Sequence, residues 1–280
     1  MSMIKSNVYL AAATLYKNDP WNILEWLEYH LIVGVRLFFI YNNDEDTRFS
    51  DAIFEPYVKR GLLVNNHSIN WFATPHVSKQ ADCHTHALRA AKGNARWLAM
   101  LDSDEFLYPI QHWNIPDVLR DYEDCNAVAL NYANFGSSGL DFRPEMQTES
   151  YVRRAQDNWE WNRLSKAVGQ TDRVDWCDHH HRFAGAMVDE KKRPTDWIKE
   201  YSGEILRVNH YMARSREDFA VKMLRGNPFG ERRDWNWFSW ADRNEVFDDG
   251  MALRFAPSIR DALQSQLKHW YFSRMRIAMA

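Results

Sequence analysis

The chain has 280 residues, 45% hydrophobic and 26% charged, the proportions of an ordinary globular protein rather than a disordered or fibrous one. Its 35 Lys and Arg against 38 Asp and Glu leave a net charge of −3. No global electrostatic case for nucleic acid follows, because that binding rests on phosphate neutralisation. Eleven Gly and nine Pro exclude a collagen-like or linker-dominated chain.

Residues 8–14 are an apolar run of strand length. Lys5 ahead of them and the small residues 11–13 faintly mimic a secretion signal, but the apolar stretch is short and reads as a buried first strand. Asp19-Pro20 then has the form of an N-cap followed by Pro at the first helical position. Trp21, Leu24, Trp26, Leu27, Leu31 and Ile32 recur near helical spacing, and Gly34 sits where a C-cap belongs. The β-branched and aromatic run 35–41 predicts a second strand that ends in the polar turn 42–46. Residues 50–59 predict a short helix despite Pro56, closed by Gly61, and 62–65 a third strand. A helix over 78–92, capped by Ser78 and stopped near Gly93, leads to a buried strand at 97–101. That strand runs straight into Asp102-Ser103-Asp104-Glu105. A short helix at 116–122 and a strand at 127–132 complete the regular half.

The second half is less regular. A strand-like run at 205–208 precedes Asn209-His210-Tyr211, and a helix is expected from Ser215, with Asp218 three residues on, to Gly226. A Trp-rich stretch at 235–240 and a final helix at 257–272 follow. Repeated strand–helix units predict an α/β fold with a mainly parallel central sheet flanked by helices. Ligands on such sheets bind beyond the carboxyl ends of the strands, where both acidic turns fall. No linker, repeat or low-complexity tract breaks the chain, so a single domain over 1–280 with a helical C-terminal elaboration is expected.

Thirteen Trp outnumber the eleven Gly, an excess that suits both core packing and stacking on sugar rings or bases. Three widely spaced cysteines, Cys83, Cys125 and Cys177, argue against a disulfide scaffold and for a reducing compartment. No apolar stretch approaches the roughly 20 residues of a membrane-spanning helix.

The sharpest chemical signal is Asp102-Ser103-Asp104. Two carboxylates leaving a buried strand can point into one cleft and share a hard divalent cation that keeps open positions for phosphate. Asp44, at the end of the second strand, is placed to accept hydrogen bonds from a ribose or base, although Asn-Asn-Asp-Glu-Asp is also plain turn chemistry. His179, His180 and His181 suggest metal ligation, yet lack the second spaced pair of a structural zinc site. His210, at a strand end, could complete a metal shell through a neutral ring nitrogen or simply be a satisfied structural residue. Lys79, Arg89 and Lys166 could meet phosphate or be solvated charges. Residues 136–139 are permissive backbone that could approach a substrate. Neither phosphate-loop glycine pattern occurs, and no Gly-x-Ser-x-Gly elbow anchors a hydrolase triad.

Taken together, Lys17-Asn18-Asp19, the run Glu25 to His30, Phe39 to Asp44, Trp97 to Phe106, Phe135-Gly136-Ser137-Ser138-Gly139, the His triplet, Asn209-His210-Tyr211 and Arg225-Gly226 resemble glycosyltransferase family 92 and related family-2-like bacterial glycosyltransferases. The resemblance implies a GT-A type nucleotide-diphospho-sugar transferase fold, with a nucleotide-binding half at 1–110, an acceptor-binding half at 111–212 and the helical elaboration at 213–280. It implies a nucleotide-sugar donor, commonly a UDP-sugar, and Mn2+ or Mg2+. Carried over, Asp102 and Asp104 become metal and donor contacts, His210 the third metal ligand, and Asp44 a nucleoside contact. Thr14 lines the base pocket, with Ser103 and Lys79 as further donor contacts. The acceptor is a glycan or lipid-linked saccharide, used with inversion in polysaccharide or glycoconjugate synthesis. That chemistry needs a carboxylate base, for which Asp141 is favoured over Glu145, with Glu149 just beyond. The family's Phe-Gly-Ser-Ser-Gly is usually followed by His, where this chain has Leu140. Animal and plant relatives carry an anchor and stalk ahead of the catalytic part. The start of this chain so near its first strand leads to a cytoplasmic expectation, with peripheral membrane contact through residues 268–276.

Two other readings stand beside this one. A nucleotidyl- or phosphotransferase would use the same carboxylates, and a non-catalytic glycan-binding protein would use the aromatic excess without metal or nucleotide.

Overall fold

The computed structural model describes residues 8–67, 76–225 and 233–278. Its elements run β1 (Val8–Tyr16), α1 (Pro20–Ile32), β2 (Leu37–Asn42), α2 (Arg48–Lys59), β3 (Leu63–Asn66), α3 (His76–Ala91), β4 (Ala95–Met100), β5 (Glu105–Pro109) and α4 (Ile115–Leu119). Then come β6 (Ala127–Asn134), α5 (Gln147–Ser150), β7 (Arg153–Arg154), β8 (Ser165–Gln170), β9 (Met187–Val188), β10 (Pro194–Thr195), β11 (Leu206–His210), α6 (Arg216–Arg225), α7 (Trp235–Ala241), β12 (Val246–Phe247) and α8 (Gly250–Ala278).

Among the described residues the main sheet has the order β10-β9-β6-β8-β4-β1-β2-β3, and β11 extends it by pairing with β6 and β5. Strands β3, β2, β1 and β4 are parallel, as right-handed strand–helix–strand units require. β8 lies antiparallel between β4 and β6, so those two strands point the same way. β11 is parallel to β6 and antiparallel to β5. The sheet is therefore mixed beyond β4, and the expected α/β class with its parallel run β3-β2-β1-β4 is present.

Both faces of the sheet are buried, which is why its strands read as continuous apolar runs. Leu10, Ala12, Trp97 and Ala99 face one core with Trp26, Leu27 and Phe54 from α1 and α2 and Phe255 from α8. Ala11, Ala13, Leu98 and Met100 face the other, with Cys83, Ala87 and Leu88 of α3. A smaller core joins Met212, Ala213 and Phe219 to Trp159, Phe238 and Ala241. The Asp19-Pro20 entry to α1 is as expected, except that Asp19 makes no cap bond with its carboxylate. Gly34 adopts φ +106°, and a Cβ there would lie 2.6 Å from Pro116 Cδ.

Several expectations need correction. α3 begins two residues before Ser78, which therefore does not cap it. α8 begins at Gly250, so Pro257 lies in its third turn rather than at its start. β5 and β8 were not expected at all. β5 is five residues long and hides behind the acidic turn, whereas β8 carries Lys166 in its interior. Ser215 does cap α6, accepting from Asp218 N at 3.1 Å. Gly226 lies outside the described residues, as do the side chains of residues 269–276 expected at a membrane. No helix among the described residues is long and apolar enough to cross a membrane. The three cysteines are free thiols.

Candidate active site

Because β8 reverses direction between β4 and β6, the carboxyl ends of β1, β2, β4, β6 and β11 and the start of β8 share one edge of the sheet. Asp102, Ser103 and Asp104 form the turn that leaves β4 at this edge, and Glu105 opens β5. α1 fixes that turn from behind. Trp26 Nε1 donates to the Glu105 carbonyl at 2.8 Å, and the Tyr29 hydroxyl to that of Leu107 at 2.6 Å. His210 ends β11 in register with Glu105 on one side and Asn134 on the other.

Three carboxylates crowd this edge, and buried charges persist only when paired. Lys166 Nζ lies 3.2 Å from Asp102 Oδ2 and 3.5 Å from Glu105 Oε2. Lys222 Nζ, from α6, lies 2.7 Å from Asp104 Oδ2 and donates to the Met212 carbonyl. Asp102 also accepts from Gln80 Nε2, and its backbone N–H donates to Glu105 Oε2 at 2.8 Å. Burial and the neighbouring Asp102 charge push Glu105 up to about 8. Burial works to raise Asp104 too, but the Lys222 charge overcomes it and holds that carboxyl well below the usual range. Burial in turn brings the Lys222 ammonium down to about 8 despite Asp104.

The geometry around His210 bears on metal binding. Asn134 Nδ2 donates to Asn162 Oδ1 at 2.9 Å, which turns Asn134 Oδ1 toward His210 Nδ1, also at 2.9 Å. An amide oxygen only accepts, so Nδ1 carries the proton and Nε2 presents a lone pair. Burial keeps the ring neutral, lowering its pKa to about 4. That lone pair faces Asp104 Oδ1 at 3.7 Å. Two electron-pair donors face each other across less than the sum of two metal–ligand bonds of about 2.1 Å. Asp104 and His210 therefore fit a divalent cation. Asp102, engaged by Gln80 and Lys166, joins them only by giving up one of those contacts.

Other candidate residues are distributed unevenly. Asp44 is half-buried and accepts from Asn18 N at 2.6 Å, with burial raising its pKa. Thr14 is fully buried near the end of β1 and presents no side-chain surface to a ligand. Ser103 is half-buried in the turn. Lys79 belongs to α3, and its side chain lies outside the described residues. Asp141 and Glu145 are exposed, near Arg216 (3.8 Å) and Arg260 (3.5 Å). Neither makes a hydrogen bond or ion pair with the carboxylates at the sheet edge, among the described residues. The backbone at Gly136 is not open to a substrate, since a Cβ there would lie 2.4 Å from the Arg243 carbonyl oxygen.

The His triplet forms a turn whose rings stack on one another and on Trp197. One ligand atom from each His lies within 4.8 Å of the others. Lys166 ties this turn to the carboxylates by donating to the His180 carbonyl at 3.3 Å. Sequence reasoning missed Lys222, Asn134 and Gln80. Only Lys222 left a trace, as a cation three residues from Phe219 on a buried helical face.

The family model of glycosyltransferase family 92 matches residues 6–249. A family 92 protein of Ricinus communis is 27% identical over 221 residues, covering 77% of this chain and 37% of that protein. One from Oryza sativa subsp. japonica is 28% identical over 113 residues, covering 40% of this chain and 18% of that protein. The chain thus spans well under half the length of these curated relatives. Among solved structures, a mannosyltransferase from Pyrobaculum calidifontis in complex with GDP-Man and Mn2+ is similar at TM-score 0.32 and 16% identity, covering 59% of this chain and 45% of that one. A 4-diphosphocytidyl-2C-methyl-D-erythritol synthase from Anaerococcus prevotii DSM 20548 is similar at TM-score 0.32 and 9% identity, covering 60% and 72%. Likenesses this distant say nothing of chemistry. The match over residues 6–249 shows the family: the chain belongs to glycosyltransferase family 92.

Proposed function

We propose that this chain transfers a sugar from a nucleotide-sugar, a UDP-sugar in the first instance, to a hydroxyl of a glycan or lipid-linked saccharide, with inversion. The observation that carries the reading is the neutral His210 ring facing the ionised Asp104 at 3.7 Å at the ligand-binding edge of the sheet. These two residues, with Asp102, would hold Mn2+ or Mg2+. A cation there supplies charge stabilisation for a departing diphosphate. Asp44 would take the nucleoside, and Ser103, Lys79 and Thr14 are the further donor contacts of this reading. Lys222 keeps Asp104 ionised and so ready to bind a cation. Lys166 holds Asp102 against the turn.

The acceptor hydroxyl must lose a proton as it attacks C1. We assign that proton to Asp141, with Glu145 as the second choice. Asp141→Asn is expected to lower kcat by about 10²-fold or more while leaving donor affinity intact. An unchanged kcat would move the role elsewhere.

Thermal unfolding with a panel of nucleoside diphosphates and nucleotide-sugars, each with Mn2+ or EDTA, tests the reading as a whole. A ligand that binds only the folded state stabilises it by about 2.7 kcal/mol at a hundredfold excess over Kd. One nucleotide should give a metal-dependent shift that Asp104→Ala abolishes, and product analysis should show a glycoside rather than a phosphoryl adduct. Saccharide binding that ignores both metal and nucleotide would overturn the transferase reading.

A further inference from the structure

Arg214 sits where the chain leaves β11, and its environment is unbalanced. The segment that carries it is pinned beside the acidic turn, because Tyr211 N donates to the Asp104 carbonyl at 2.9 Å and Met212 gives its carbonyl to Lys222. Its backbone has φ +60°, in the left-handed region that a residue with a side chain adopts only when its surroundings demand it. The side chain is 4% exposed. Its Nη1 donates to Asp19 Oδ2 at 2.8 Å, while Nε and Nη2 meet no acceptor among the described residues. Buried donors without acceptors are costly, and for a guanidinium more so than for an amide.

Arg225 Nη1 lies 3.4 Å from the same Asp19 oxygen, so two guanidiniums share one carboxylate. Of the other carboxylates in its field, Asp104 and Asp218 are already taken by Lys222 and Arg143, and Glu25 is held by the Gln147 and Thr148 N–H groups and the Thr148 hydroxyl. None of these carboxylates accepts from its Nε or Nη2, so two donors of a planar fork are unused. A fork of that kind matches a phosphate or carboxylate edge.

Its position selects between them. Asp19 continues the loop in which Asn18, at φ +45°, holds the Asp44 carboxylate through its N–H. Arg225 also donates to the Lys17 carbonyl at 3.1 Å. The arginine pair therefore lies between the residue proposed for the nucleoside and the Asp104–His210 pair. In a nucleoside diphosphate the two phosphates occupy that interval. We propose that Arg214, backed by Arg225, forms a diphosphate-binding site that engages the donor's phosphates beside the acidic turn. The identity of the anion rests on the transferase reading; the surplus donors do not. Both free nitrogens lie beneath the surface, so the anion must displace what covers them.

Calorimetric titration of the full chain with inorganic pyrophosphate, in EDTA and again in Mg2+, tests the site. Wild type should bind in at least one condition. Arg214→Gln should bind at least tenfold more weakly, and Arg214→Lys should fall between, since an ammonium keeps the charge without the fork. Arg214→Gly accepts φ +60° readily and guards against a folding failure in the Gln variant; it should bind as weakly as Arg214→Gln. Unchanged affinity in the Gln or Gly variant, or no binding by wild type in either condition, overturns the proposal. Transfer from a nucleotide-sugar by wild type is measured in parallel. Arg214-dependent pyrophosphate binding without any transfer keeps the site and sinks the transferase reading. Transfer with Arg214-independent pyrophosphate binding does the reverse.

Discussion

Asn134 Oδ1 and His210 Nδ1 stand 2.9 Å apart, and this contact decides which imidazole nitrogen faces Asp104. Asn162 fixes the amide in turn, so the orientation is set two residues back from the candidate metal position. Removing an outer partner of a metal-binding His costs about 10–100-fold in metal affinity. Asn134→Leu should therefore weaken Mn2+ binding by that factor, read as free Mn2+ by electron paramagnetic resonance. Asn134→Asp, whose carboxylate still accepts from Nδ1–H, should retain most of it. Equal affinities for wild type and the Leu variant would mean that His210 is not a ligand.

Lys222 neutralises Asp104 from 2.7 Å inside the protein. Lys222→Met leaves that carboxylate buried without its partner, a change that typically costs about 3–5 kcal/mol. Urea unfolding in EDTA should show a loss of this size, and saturating Mn2+ should restore part of it by supplying a replacement charge. A loss under about 1 kcal/mol would show that Asp104 is paired by something else.

The Gly136 backbone abuts the Arg243 carbonyl, which as backbone cannot give way like a chain end, and the Asn244 side-chain oxygen, which Ser138 N holds in place. Overpacking of this kind costs about 1–3 kcal/mol. Gly136→Ala should lower stability in that range and loosen the anchoring of the loop, where Ser137 N donates to Asp242 Oδ1 at 2.6 Å. Gly139, with open space around its Cβ position but φ +79°, should lose less on the same substitution. Chemical denaturation of the two variants side by side checks the order.

His30 is fully buried, far from the acidic turn in role if not in fold, and burial brings its pKa down to about 3. An unfolded His titrates near 6.5, so below that pH the unfolded chain takes up a proton that the folded one refuses. Stability from this residue is complete above about pH 6.5 and declines as the pH falls toward the folded value. The slope approaches about 1.4 kcal/mol per pH unit. His30→Asn should flatten the fall in unfolding free energy between pH 6 and 5 by up to that amount. A slope identical to wild type would show that His30 is protonated in the folded chain.

Much of this protein can be read from its sequence. Apolar runs bounded by turn residues mark β1, β2 and β4, because a strand buried on both faces must be apolar throughout. Asp102, Asp104 and His210 are visible because each sits at the end of such a run, where α/β sheets bind ligands. The loop at 136–139 shows the limit of local reasoning. Its glycines suggest an open approach, but only the packed structure reveals that Arg243 and Asn244, over a hundred residues on, fill the space at Gly136 while Gly139 stays open.

What the tertiary structure alone decides is charge. Lys166 and Lys222 look like solvated cations in a linear reading. Strand reversal at β8 and the return of α6 bury them against Asp102 and Asp104, the latter across 118 residues. The same closure leaves Arg214 with two donors unmatched and Asn134 aligned on His210. Sequence determines which groups can ionise, since that is a property of the side chain. Which of them meet in low dielectric, and so which are balanced and which are left over, depends on pairings between distant residues that no local pattern encodes.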